Sequence, residues 1–344
     1  MKQCTSKING QSGVALIMVV LMITVASGVL MALTESTYVS MRLNRSAEQR
    51  VKAEYILKSA INVAQTLIKI DKTQYDDPTQ DVWMQFREGA TVPGEFIGLS
   101  EPNVKVSLLI SPESGKIPLL SLVSPTAPDS GWRDVLVALF KNLGFEDQSN
   151  QTNQDEITST EQMVANLIDY LDYDKESYSM GDFPVEGIEG NLPVGVEFRN
   201  DGKLESIANE LSILPGYTDD RIQCILPFVS VRSKSAVNIN AASQPVLQAL
   251  VQGLAPSASG GEAAALIDCR NPENGGPFNQ NYGSQIAACI EGDVASQIRP
   301  RLVAQGNEFF VIAKVEFGTS AFMASAHLKS RNGRPPVIDD LLLY

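Results

Sequence analysis

With 344 residues, the chain is long enough for more than one folded core. Its 44% hydrophobic and 19% charged residues exclude wholesale disorder. A formal net charge of −13 argues against nucleic acid, because phosphate binding draws its affinity from Lys and Arg, and favours a protein or a divalent cation as partner.

The first 13 residues are polar, carry Lys2 and Lys7, and contain no acid. Residues 14–33 follow as an uncharged apolar run of 20. As a helix rising ~1.5 Å per residue, this run spans ~30 Å, the thickness of a bilayer's hydrocarbon core. Lysines before it and Glu35 after it predict a single-pass anchor with its short end in the cytoplasm. The run is longer than the core of an ordinary cleaved signal peptide, and a glycine precedes it instead of small residues following it.

Residues 34–70 contain neither Pro nor Gly, and Tyr38, Met41, Val51, Tyr55, Ile56, Val63, Leu67, Ile68 and Ile70 recur at helical spacing. They predict an amphipathic helix growing out of the membrane segment. Asp76-Asp77-Pro78 and the Gly/Pro-rich residues 89–102 end it. Alternation at Val104, Val106 and Leu108 predicts a strand, and the apolar run 117–123 a second. Near the other end, 309–317 and 321–328 flank Gly318-Thr319-Ser320 and read as a hairpin. Between these strands the pattern turns helical, over 134–143, 159–173, 204–214, 219–226 and 244–254. The predicted class is therefore α+β: a long amino-terminal transmembrane and spine helix, and an antiparallel sheet interrupted by a large inserted helical domain. The expected divisions are a leader at 1–13, a membrane helix at 14–33, sheet modules at 34–125 and 300–344, and the insertion at 126–299.

Asp169, Asp172, Asp174, Glu176 and Asp182 gather five carboxylates in a short stretch. Dense oxygen ligands suit Ca²⁺, which takes six to eight oxygens in flexible geometry. An EF-hand is excluded, since Ser177 stands where its glycine belongs and Gly181 comes too late. A solvated acidic loop would look the same in sequence. No enzymatic activity is expected. His327 is the one histidine and falls in a strand-like segment, where a half-exposed structural role is the reading, and no Ser/His/Asp order, nucleotide loop or zinc spacing is present.

Several segments resemble known families. Gln11-Ser12-Gly13 before Val14-Ala15-Leu16-Ile17-Met18 resembles the class III signal of pilins. That resemblance implies that prepilin peptidase cuts after Gly13, leaving Val14 as a methylated amino terminus and removing two lysines. Most pilins and pseudopilins have Glu at the fifth mature position, and here it is Met18, an assembly-relevant departure typical of a subunit at the pseudopilus tip. Gly115-Lys116-Ile117-Pro118-Leu119, the acidic helix end 167–174, the pair 204–207 and 211–217, and Val237-Asn238-Ile239-Asn240-Ala241-Ala242 resemble successive segments of the minor pseudopilin K family (GspK) of type II secretion systems.

The family implies an inner-membrane subunit with a periplasmic carboxy-terminal body, which initiates or caps the pseudopilus for protein export across the outer membrane. Its implied partners are the other minor pseudopilins, the major pseudopilin, and the secreted substrate or outer-membrane channel, and its implied cofactor is calcium. In an oxidising periplasm, Cys269 and Cys289, flanking a Gly/Asn/Pro-rich loop, are expected to be bridged, leaving Cys224 as a small buried residue. Leu214-Pro215-Gly216-Tyr217-Thr218 resembles a helix-hairpin-helix module, but Thr218 replaces its second glycine and Asp219 and Asp220 repel phosphate, so no nucleic acid is expected. The alternatives are a minor pilin of a type IV pilus and, in another class, a membrane-tethered DNA-uptake protein using that hairpin.

Overall fold

The structure, a computed structural model, describes residues 11–98, 104–146, 159–179, 185–189, 198–233, 236–331 and 334–344. The helix α1 (Gln11–Ile70) has 60 residues and runs ~90 Å at the α-helical rise. Its lower part stands free, with Leu16, Met18, Leu30, Met31 and Leu43 all exposed. Its upper part buries Ala53, Ile56, Leu57, Ala60, Ile61, Ala64 and Ile68, one face at spacings of three and four.

That face differs from the predicted stripe. Ile56 and Ile68 are on it, but Val51, Tyr55 and Ile70 point to solvent, and three alanines replace them. The helix packs closely against a sheet, with alanines alternating with Ile and Leu along the contact.

After α1, β1 (Ala90–Thr91) and β2 (Val104–Pro112) begin the sheet, and β3 (Ile117–Pro118) leaves it. The expected strand over 117–123 is cut to these two residues, because the chain turns at once into a 3₁₀ turn at Leu119–Ser121. The insertion then contributes α2 (Ser130–Asn142), α3 (Thr160–Leu171), α4 (Ile207–Leu211), α5 (Asp219–Ile225), β4 (Val229–Ser230), β5 (Val237–Asn238) and α6 (Gln244–Leu254). It closes with α7 (Glu262–Arg270), α8 (Tyr282–Cys289), α9 (Gly292–Ile298) and β6 (Leu302–Val303). The chain returns to the sheet as β7 (Glu308–Phe317), β8 (Ser320–Arg331) and β9 (Arg334–Leu343).

The five strands of the main sheet run in the order β1-β2-β7-β8-β9, each antiparallel to its neighbour. Everything between Pro112 and Glu308 is thus inserted between two adjacent strands, whose ends pair directly, Pro112 opposite Phe309. Among the described residues, two separate hydrophobic cores result. One lies between α1 and the sheet, where Trp83 meets Phe309 edge to face at 4.9 Å. The other fills the insertion around Trp132, Phe140, Leu167 and Leu247.

Asp129, Ser159 and Thr218 each accept a backbone N–H of the first turn; α3 and α5 begin within a residue of where the sequence put them, whereas the Asp129 cap starts α2 before the expected 134. The helix expected over 204–214 shrinks to α4, since Ser206 caps late and Pro215-Gly216 stops the chain early.

Candidate functional site

The acidic segment begins at the carboxyl end of α3. Asp169 is fully buried there, and its carboxylate accepts the backbone N–H of Tyr178 at 2.6 Å and of Glu189 at 2.7 Å. It therefore folds the following loop over α3 and has little capacity left for a ligand. The loop comes so close that a Cβ on Gly187 would collide with the Asp169 carboxylate.

Asp172, Asp174 and Glu189 form the open part of the cluster, each offering a carboxylate oxygen within 4.8 Å of the others. Asp172 is only 5% exposed, and its Oδ1 has no hydrogen-bond partner among the described residues. Oε2 of Glu189 is also buried, with no partner among the described residues, while its Oε1 accepts the side-chain amide of Asn200. Burial, followed by the charges of Asp174, Glu189 and Asp169, raises the Asp172 carboxyl to about 8. Glu189 is raised chiefly by burial. Converging carboxylates with orphaned oxygens are an arrangement that a hard divalent cation relieves, by replacing repulsion with coordination.

Of the five acids singled out in sequence, the structure brings Asp172 and Asp174 together and sets Asp169 beside them. Glu176 is exposed, its backbone N–H bonded to Asp174, and its carboxylate is outside the group. Asp182 lies outside the described residues. Glu189 was missed, because it follows a break in the acidic run, and its proximity depends on the Gly187 approach, which only a fold reveals.

Gly13, Val14 and Met18 lie within one uninterrupted helix that is long and apolar enough to cross a membrane. Met18 is 65% exposed, and no carboxylate precedes Glu35 on the apolar segment. Cys269 and Cys289 are joined by a disulfide that ties the ends of α7 and α8. The segment between them is not only a loop, since α8 occupies its second part. Cys224 departs from expectation: it is exposed on α5, whose inward face is taken by Ile222 and Ile225.

The hairpin-like turn before α5 buries Tyr217, whose hydroxyl donates to the Met163 carbonyl at 3.0 Å, and Arg221 donates to the Gly216 carbonyl. Those contacts serve the core of the insertion. His327 is half-buried in β8, with its ring 4.8 Å from that of Phe310.

No family model and no curated protein matches the chain. Among solved structures, a chain of the GspK-GspI-GspJ complex from the enterotoxigenic Escherichia coli type 2 secretion system is similar, with a TM-score of 0.64. The match covers 88% of this chain and 99% of that one at 15% sequence identity. A long apolar helix, an antiparallel sheet and a helical insertion between its strands thus combine in a GspK-like α+β fold.

Proposed function

We propose that this chain is a minor pseudopilin of a type II secretion system, acting without catalysis at the tip of the pseudopilus. The observation that carries this reading is the division of α1. Its lower part is apolar, uncharged and bare, while its upper part is sheathed by a sheet on a GspK-like fold.

The bare part anchors the protein in the inner membrane, with the body in the periplasm, and later slots among the helices of neighbouring subunits. Met18 supports the tip position. A carboxylate buried among apolar helices costs several kcal/mol unless the next subunit's amino terminus neutralises it, and a subunit with nothing stacked above has no such neighbour. The insertion, grown from one edge-to-edge junction of the sheet, gives this end of the molecule bulk that a repeating filament subunit could not carry.

Partners equivalent to GspI and GspJ are proposed by analogy with the solved complex. Calcium is proposed at Asp172, Asp174 and Glu189, where it would hold the loop after α3 against the insertion. Intact-mass spectrometry of protein extracted from membranes carrying prepilin peptidase tests the address. A mature chain beginning at Val14 agrees with the proposal, and one retaining residues upstream of Gly13 contradicts it.

A further inference from the structure

Arg87 and Arg270 face one cavity of about 270 Å³ between the sheet module and the insertion. Arg87 follows the 3₁₀ turn Val82–Phe86, and Arg270 ends α7. Both are half-buried. Arg87 donates Nη2 to the Ala241 carbonyl, and Arg270 donates Nη1 to the carbonyls of Ile239 and Ala242. All three acceptors belong to the turn between β5 and α6, so one short segment anchors both guanidiniums side by side.

These bonds position the two groups but neutralise neither. Among the described residues, no carboxylate pairs with Arg87 or Arg270, and the residues lining the cavity include no acid. Two carboxylates act on Arg87 from a distance without pairing with it: Asp76, which already accepts bonds from Asn238 and Gly306, and the exposed Glu88 next to it in the chain. Burial and the adjacent Arg87 charge lower Arg270 to about 10. A guanidinium has five N–H donors, so most donors on Arg87 and several on Arg270 remain for something else. The surrounding wall is built from Pro78, Met84, Ile267, Pro272 and Pro277, with the amides of Asn240 and Asn271 beside the guanidiniums.

Two half-buried like charges, held together in a chain of net charge −13, leave a local positive site that repulsion and desolvation both disfavour. An anion removes both penalties. We propose that the cavity between Arg87 and Arg270 binds a small oxyanion, a phosphate or a carboxylate, through forked N–H donors from both side chains. Guanidinium pairs match the oxygens of such anions bidentately, and the cavity has room for the anion with a few waters. The ligand would bridge the region just after α1 to the end of α7, where the disulfide at Cys269 holds the neighbouring Arg270 in place. This inference does not depend on a secretory role.

The test is isothermal titration calorimetry on the full chain in a nonionic detergent, in calcium-free chloride buffer at constant ionic strength. Inorganic phosphate and acetate are titrated separately. Saturable one-site binding is expected, weakened at least ~tenfold in R87Q and in R270Q and unchanged in K105Q, whose lysine is exposed on β2. Tighter phosphate binding identifies a free phosphate or phosphoryl ligand, and tighter acetate binding a carboxylate. Absence of saturable heat with both anions overturns the proposal, as does native-like binding by both arginine variants. Should a variant fail to fold, the titration of the native chain decides alone.

Discussion

Asn238, at the end of β5, donates its side-chain amide to the carboxylate of Asp76, 162 residues earlier and just beyond α1. Asp76 also accepts the Gly306 N–H at 3.3 Å and donates its own N–H to the Ala304 carbonyl. One buried side chain thus joins the end of the spine helix, the insertion and the segment entering β7. Removing the amide in N238A leaves that carboxyl short of a donor and is predicted to cost ~1–3 kcal/mol, measured by denaturant unfolding.

Burial raises Asp76 to about 7, and burial raises the nearby Asp81 to about 6. Ordinary carboxyls in the unfolded chain ionise near 4, so folding retains protons that unfolding releases. Stability should therefore fall as pH rises from about 4 to about 7, and be highest on the acid side of that window. D76N is predicted to remove part of that slope. Unfolding midpoints at pH 5 and pH 7.5 measure it, and an unchanged difference in D76N would refute the assignment.

The calcium proposed at the end of α3 would have to displace the proton that Asp172 holds up to about 8. Calcium affinity is therefore expected to rise with pH until about 8, and to drop at least ~tenfold in D172N or E189Q, each of which removes a charged oxygen ligand. E176Q, outside the group, should bind like the native chain. Calorimetric titration with calcium at pH 6 and pH 8 checks both trends.

The disulfide closes a segment of sequence separation 20, between Cys269 and Cys289. Loop-entropy reasoning predicts that C269S/C289S loses ~3 kcal/mol. C224S, which alters an exposed thiol, should leave the unfolding midpoint unchanged. Denaturant curves with and without reductant separate the two.

Ala60 is 0% exposed at the contact of α1 with the sheet. Enlarging it in A60L forces the helix off the strands and is predicted to cost ~1–3 kcal/mol in thermal or denaturant unfolding, whereas Y55L on the exposed face should cost little.

That alanine also explains where sequence reading succeeded and failed. The helix α6 was readable to the residue, because its apolar face is made of Val, Leu and Ala between Pro245 at its start and Pro256 just past its end. The antiparallel hairpin of β7 and β8 was readable from alternation about Gly318. The spine's buried face was legible only in part: Ile56 and Ile68 lie on it as expected, but Ala53, Ala60 and Ala64 carry little hydrophobic signal, and Val51, Tyr55 and Ile70 point outward. Nor was β9, whose start at Arg334-Pro335-Pro336 lacks alternation and suits only an edge strand, where missing N–H groups face no neighbour. At the acidic cluster, local sequence showed Asp172 and Asp174, but Glu189 joins them through a loop fold that no spacing rule predicts.

The central claim is that this chain assembles with other minor pseudopilins. Co-expression of the full chain with the I-type and J-type subunits of the same secretion system, followed by detergent extraction and size-exclusion chromatography, tests it directly. The account predicts one co-eluting complex containing all three chains. Elution of this chain alone, with both candidate partners present and folded, would contradict it.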